Sequence, residues 1–314
     1  MAKILINDGI HPDGKTALEA AGHEVITDKI AQDDLSAQLP AFDAIVVRSA
    51  TKVRKDLIDS CPNLKVIARG GVGLDNIDVD YAKGKGKQVM NTPAASSESV
   101  AELAFAHFLG LARFLHHANR DMPSKGNTEF KALKKSYSKG HQLRGKTLGV
   151  IGIGRIGQET AKIGVAMGMK VLPVDLFIKE VKLDIDIAGH TVTVNLPSVS
   201  MDEMLANADY ISLHVPSTGQ AIIGAEEFAK MKDGVIIANP SRGGTIDEDA
   251  LLAALNSGKV AGAGLDVFVN EPTPRADLLS HPNVSSTPHI GGSTVEAQRN
   301  IGMELADQLN TFFG

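Results

Sequence analysis

Between Leu148 and Asp175 the chain reads Leu-Gly-Val-Ile-Gly-Ile-Gly-Arg-Ile-Gly, a helix-like run, and then Val171-Leu-Pro-Val-Asp. Few folds tolerate that succession. Leu148 to Ile151 read as a buried strand, which Gly152, Gly154 and Gly157 turn directly into a helix. The first glycine permits the tight turn, the second lets a pyrophosphate approach the backbone, and the third lets helix pack on strand. The helix start, with Arg155 and Ile156, offers unpaired N–H groups and a partial positive charge to phosphates. Asp175, ending the next strand, can accept hydrogen bonds from both ribose hydroxyls and would repel a 2′-phosphate. Leu176 and Phe177 follow it, so no arginine stands directly behind to receive such a phosphate. The stretch therefore predicts a dinucleotide site that takes NAD in preference to NADP.

With 314 residues the chain is long enough for two domains, each with its own core. It is 43% hydrophobic and 22% charged, as soluble globular proteins are. A net charge of −5 gives no general attraction to nucleic acid or to an anionic membrane, so neither is expected as a partner. An anionic substrate must instead be held by local basic groups. The single cysteine, Cys61, excludes an intrachain disulfide and fits a reducing, cytoplasmic setting. It sits before Pro62 with no evident base, and reads as a small buried hydrophobe. The chain opens directly as a strand, without a signal-peptide core, and no apolar run reaches bilayer length. No metal site is expected.

Short Ile- and Val-rich strands are predicted at 3–7, 24–27, 44–48, 65–69 and 88–91, with helical segments between several of them. That alternation predicts a parallel sheet covered on both faces. A long helix apolar nearly all round is expected from Ser99 to Asn119, buried in a core or against another subunit. A polar, basic segment spans Ser124 to Arg144. Six further strands are expected at 147–152, 170–175, 210–215, 235–239, 262–267 and 284–286, and an amphipathic helix at Thr294–Phe313. Lys182–Asn195 alternates apolar and polar residues around Ala188-Gly189-His190, which signals an inserted β-hairpin. The fold class is thus α/β with two doubly wound parallel-sheet domains, the glycine fingerprint lying in the second.

Three residues stand just beyond predicted strand ends, where open α/β sheets place their ligands. Arg242 lies in Asn239-Pro-Ser-Arg-Gly-Gly, Glu271 in Asp266-Val-Phe-Val-Asn-Glu-Pro, and His289 in Thr287-Pro-His-Ile-Gly-Gly. Hydride removal from a secondary alcohol needs a base for the hydroxyl proton, and histidine titrates in the useful range. A carboxylate behind it would orient the ring. An arginine can clamp a substrate carboxylate with two parallel hydrogen bonds and polarise the adjacent carbonyl.

Together, the fingerprint and these three segments resemble the D-isomer-specific 2-hydroxyacid dehydrogenase family over essentially the whole chain. The resemblance implies that Arg242 is the substrate clamp, Glu271 the partner of the histidine and His289 the acid/base. It implies a flavodoxin-like substrate domain of residues 1–98 plus 290–314 and a Rossmann NAD domain of residues 99–289, with the active site expected in the cleft where they meet. Besides the fingerprint, it implies cofactor contacts at His214, Pro216, Thr218, Asn239, Ser241, Asp266 and Gly291. Ile45-Val-Val-Arg-Ser-Ala-Thr-Lys, Ala68-Arg-Gly-Gly-Val-Gly-Leu-Asp-Asn-Ile-Asp, Asn91-Thr-Pro and Ser99-Val-Ala-Glu look most like members that oxidise D-3-phosphoglycerate. On that reading Gly71, Val72 and Gly73 turn amides toward the substrate carboxylate. Arg48, Ser49 and Arg69 meet its phosphate, and Lys131, Lys134 and Lys135 add charge. Hydroxypyruvate or glyoxylate reduction by the same machinery, and an NADH-sensing corepressor scaffold, are the alternatives. A homodimer is expected through the long helix. Ser96 departs from the family's usual asparagine, offering a hydroxyl of shorter reach for that cofactor or hinge contact. With the chain ending at Gly314, the C-terminal regulatory domain of longer relatives is not expected here.

Overall fold

The computed structural model describes residues 1–314 as two compact units, Met1–Ser97 with Gly292–Gly314, and Glu98–Gly291. In the first, strands β1 (Lys3–Ile6), β2 (Glu24–Ile26), β3 (Ala44–Val47), β4 (Val66–Arg69) and β5 (Gln88–Asn91) form one sheet in the order β2-β1-β3-β4-β5. Every pairing is parallel. Alternate residues feed two cores, because successive side chains on a strand point to opposite faces. Leu5, Ile45, Val47 and Ile67 join Leu35, Leu39 and Leu57 on one side. Ile4, Ile6, Val46 and Val66 join Leu18, Ile301, Leu305 and Leu309 on the other. The last helix, Val295–Phe313, is thereby an integral part of the first unit, and Thr294 caps it by accepting from the Ala297 N–H at 3.1 Å. That helix packs so closely on Pro12–Ala20 that a Cβ on Gly14 would stand 2.5 Å from the Gly302 carbonyl oxygen.

The second unit holds β6 (Thr147–Ile151), β7 (Lys170–Val174), β8 (Glu180–Ile187), β9 (His190–Pro197), β10 (Tyr210–Leu213), β11 (Val235–Asn239), β12 (Val260–Leu265) and β13 (Val284–Ser286). Six of these make a parallel sheet in the order β13-β12-β11-β10-β6-β7. From β6 the chain steps outward to β7 and then returns to the other side of β6. The strand order therefore reverses between β6 and β10, and ligands bind beyond the carboxyl ends of strands at such a point.

β8 and β9 form the predicted hairpin, paired from Glu180↔Pro197 to Ile187↔His190 and longer at both ends than 182–195. Ala188 at φ 50° and Gly189 at φ 82° make its two-residue turn, as a primed turn requires. Val181, Leu183 and Ile185 are buried in a cluster against which Ile163 and Val165 of the helix Arg155–Ala166, and Met167 just after it, also pack. The hairpin thus covers the outer side of the fingerprint helix.

The long helix expected over residues 99–119 is two helices, Ser97–Ala112 and Leu115–Lys125. Phe114 between them adopts the left-handed conformation at φ 55°. Its ring stacks on Tyr137 with centroids 5.9 Å apart, and the Ala112 carbonyl accepts from the His141 N–H at 2.8 Å. The returning basic segment therefore caps the first helix and turns the chain. That segment also carries a helix of its own, Phe130–Ser136, on which Lys131, Lys134 and Lys135 are exposed. No helix is long and apolar enough to cross a membrane.

Candidate active site

The three glycines of the fingerprint do separable work. Gly152 sits at φ 87°, with the His214 carbonyl oxygen 2.5 Å from where a Cβ would be. A Cβ on Gly157 would run into the Gly152 carbonyl. Gly154, by contrast, is exposed and faces open space. It is also the N-cap of the helix Arg155–Ala166, with no side chain capping the first amides. Uncapped N–H groups beside a glycine with nothing above it fit a pyrophosphate.

Asp175 closes this turn. One carboxylate oxygen accepts from the Ile153 N–H at 3.0 Å, the other from Phe177 and Ile178 at 2.9 and 3.1 Å. Burial pushes its pKa up, but the three amides outweigh it and hold the carboxyl below its ordinary value. The charged form therefore stays in place, with lone pairs left for ribose hydroxyls. Leu176 and Phe177 are among the most exposed large apolar residues, at 83% and 88%.

His214, expected to touch the cofactor, has its ring beneath the fingerprint helix. Nε2 lies 3.0 Å from Thr160 Oγ1 and 2.9 Å from Ser212 Oγ, while Nδ1 is buried without a partner. Burial pushes this imidazole down to about 3, so it is neutral. Pro216 and Thr218 lie on the exposed loop beyond β10, the Thr218 hydroxyl donating to the Gln220 carbonyl at 3.1 Å.

Asn239, Ser241 and Asp266 likewise work inward. Asn239 is 3% exposed; its Nδ2 donates to the Arg242 carbonyl (2.9 Å) and Thr245 Oγ1 (3.0 Å). Its Oδ1 accepts from both the N–H and the hydroxyl of Ser241, at 3.1 and 2.7 Å. These bonds shape the turn that presents Arg242. Half-buried Arg242 donates through its guanidinium to the Ser241 carbonyl at 2.6 Å. Gly243 then lies so close to the Phe268 carbonyl that no Cβ could fit, which seats the Arg242 turn on the segment leading to Glu271. Asp266 is 1% exposed and accepts from Thr287 Oγ1 (2.6 Å) and the Ile290 and Gly291 amides (2.8 Å each). These bonds also explain why residues 290 and 291 sit in the second unit, two residues past the expected boundary.

His289 and Glu271 meet directly. His289 Nδ1 is 2.8 Å from Glu271 Oε2, and Glu271 Oε1 accepts from the Phe268 N–H at 2.9 Å. A carboxylate only accepts, so Nδ1 carries a proton, and in the neutral ring the lone pair is on Nε2. The histidine side chain is 48% exposed. Its backbone is at φ 54° and that of Asn270 at φ 62°.

In the first unit, the loops after β3 and β4 are tightly braced. Asp8 Oδ2 accepts from the Arg48 and Thr51 amides at 2.8 and 2.9 Å. Asn76 Nδ2 donates to the Arg48 and Thr51 carbonyls at 2.7 Å each. Arg69, a residue expected at the phosphate, turns its guanidinium onto the Gly73 and Arg48 carbonyls. The Gly71 N–H is likewise committed, donating to Thr92 Oγ1 at 2.8 Å. Arg48 is half-buried and enters no ion pair, and Ser49 beside it is exposed. Ser96 is buried at 4%, and a Cβ on Gly292 would stand 3.3 Å from its own. Asp8, Asn76 and Thr92 were not singled out from sequence, although Asp8 directly follows a strand, the position where polar residues matter in this fold.

These features coincide with known proteins. The profile of the D-isomer specific 2-hydroxyacid dehydrogenase, NAD binding domain, matches residues 105–291. The chain belongs to the D-isomer-specific 2-hydroxyacid dehydrogenase family, and its cofactor is NAD. It is 49% identical over 291 residues to hydroxypyruvate reductase of Thermotoga maritima, covering 91% of this chain and 90% of that protein. It is 43% identical over 312 residues to D-3-phosphoglycerate dehydrogenase of Methanocaldococcus jannaschii, covering 98% of this chain but only 57% of that one. Among solved structures, D-lactate dehydrogenase from Aquifex aeolicus, complexed with NAD and lactic acid, superposes with a TM-score of 0.77. There the identity is 32%, and 99% of this chain and 95% of the other are covered.

Proposed function

We propose that the chain interconverts D-3-phosphoglycerate and 3-phosphohydroxypyruvate, with His289 as acid/base, Glu271 as its orienting carboxylate and Arg242 as the clamp on the substrate carboxylate. The 2.8 Å contact between His289 Nδ1 and Glu271 carries this reading. In the neutral ring it leaves the lone pair on Nε2, the state a base needs before it can take a hydroxyl proton. Bound NAD supplies the acceptor for the hydride that leaves the same carbon. In the reverse direction protonated His289 returns the proton to the alkoxide oxygen. Glu271 keeps the imidazolium in place throughout and stays ionised. Arg242 can bind a carboxylate through two parallel N–H groups. In the first unit, Arg48 is the group assigned to the phosphate, because Arg69 is committed to its own loop. The Val72 and Gly73 amides remain for the carboxylate.

Unphosphorylated hydroxypyruvate is the second reading, supported by the 49% identity to a hydroxypyruvate reductase matched over 90% of its length. Comparing kcat/KM for phosphohydroxypyruvate, hydroxypyruvate and glyoxylate, in wild type and Arg48→Ala, separates the two. Preference for the phosphorylated acid, lost in Arg48→Ala, is the expected result. An unchanged ranking would move the assignment to hydroxypyruvate. For His289→Ala, kcat should fall roughly 10²–10⁴-fold while the Kd for NADH holds. Equal loss of both would leave His289 a structural residue.

A homodimer formed through the helices between residues 97 and 136 completes the proposal. Leu109, Leu115, Met122 and Phe130 there expose 42%, 56%, 43% and 57% of their surface, the apolar side chains such an interface would cover.

A further inference from the structure

We propose that His107 and Thr287 are positioning residues for His289, acting through Asp266; this rests on the acid/base role given to His289 above. The helix Ser97–Ala112 is a run of Ala, Leu and Phe in which His107 is 4% exposed. A buried histidine in such a helix needs partners, and it has two. Nδ1 lies 3.0 Å from Ser285 Oγ and Nε2 lies 3.2 Å from Thr287 Oγ1. Across from it, β12 carries Gly264, where any Cβ would collide with the Cβ of His107. The strand omits a side chain at the place the imidazole occupies.

Proton counting gives this contact a direction. Thr287 Oγ1 has one proton, and it goes to Asp266 Oδ1 at 2.6 Å. The hydroxyl can then only accept from His107, so the imidazole proton is on Nε2 and Nδ1 accepts from Ser285. Burial lowers the His107 pKa against the opposing pull of Asp266, in keeping with a single ring proton. A one-way chain results, Ser285 to His107 to Thr287 to Asp266, and bonds in such chains polarise one another.

The chain ends where the acid/base residue is held. Asp266 Oδ1 accepts from the Ile290 N–H and Oδ2 from the Gly291 N–H, both at 2.8 Å. The Thr287 carbonyl accepts from the His289 N–H itself at 3.1 Å, and the Thr287 N–H donates to Leu265 at 2.9 Å. His289 at φ 54° is thus gripped on both sides, in a conformation that L-residues leave unless the surroundings hold it. Removing the Thr287 hydroxyl would cut the link from His107 to Asp266, leave that carboxylate with the Ile290 and Gly291 amides alone, and let the Nε2 direction drift. A displacement of about 1 Å can cost on the order of 10²-fold in rate.

The test is Thr287→Val beside Thr287→Ser, with His107→Leu as an independent break in the same chain. Thr287→Val and His107→Leu should lower kcat roughly 10–100-fold, with the Kd for NADH and the thermal midpoint little changed. Thr287→Ser, which keeps the hydroxyl, should recover most of the rate. In the wild-type protein, ¹⁵N spectra of the imidazoles should show His107 protonated at Nε2 and bare at Nδ1 around neutral pH. Unchanged kcat in Thr287→Val, no recovery in Thr287→Ser, or a proton on Nδ1 would each overturn the proposal. Parallel loss of NADH binding and thermal stability would do the same. His289→Ala, assayed alongside, keeps the two readings apart. If it abolishes turnover while Thr287→Val does not, only the positioning role falls; if it retains turnover, the acid/base assignment falls first.

Discussion

Glu271 accepts from the backbone with one oxygen and from His289 with the other, so it is fixed before it fixes anything else. Glu271→Gln keeps that shape but can present an amide N–H to Nδ1, favouring the tautomer whose Nε2 is already protonated. Its kcat for alcohol oxidation should fall well below wild type while the Kd for NADH is unchanged, as stopped-flow kinetics and fluorescence titration would show. Gly243 is tested by Gly243→Ala: the added methyl must displace the Phe268 carbonyl, and with it the segment leading to Glu271. Turnover should drop even though no titratable group is lost. Asp175→Asn removes the charge that repels a 2′-phosphate, so the ratio of kcat/KM for NAD to that for NADP should fall.

At the scale of elements, the hairpin formed by β8 and β9 had no assigned purpose in sequence. In the structure it shields the fingerprint helix from solvent through Val181, Leu183 and Ile185. Leu183→Ala should therefore cost about 3 kcal/mol, read as a shift in urea midpoint, with KM for substrate unaffected. The helix break at Phe114 could not be seen from composition, since Ala, Leu and Phe continue through it. The cause is the Phe114–Tyr137 stack and the His141 amide, both contributed by residues more than twenty positions further on.

For the whole molecule, acid should act through its buried neutral imidazoles. The folded pKa of His214 is pushed down to about 3 from an unfolded value of 6.5. Between those values the unfolded chain binds a proton that the folded one refuses, so stability rises with pH across that window. The contribution is intact above about 6.5 and is lost as pH falls toward 3. His107 shifts in the same direction. Urea midpoints at pH 7.5 and pH 5 should differ less for His214→Gln than for wild type; an equal difference would remove His214 as the source. The proposed dimer is checked by light scattering, where twice the chain mass of 33.1 kDa is expected and a monomer would refute it.

The α/β class, the glycine turn, the Asp175 position and the hairpin are all local or periodic patterns, and each could be read before any coordinates. Strand burial and a turn's need for glycine depend on neighbours a few residues away. The uses of Arg69, Asn239, Asp266 and His107 could not be read in this way. Their partners lie on other elements, as far apart in the chain as His107 and Thr287, and a hydrogen bond is decided by where the folded backbone leaves its donors. The residue types thus determined a nucleotide-binding α/β chain with three candidate reactive side chains. Tertiary packing alone decided which polar groups face the chemistry and which are spent holding it in place.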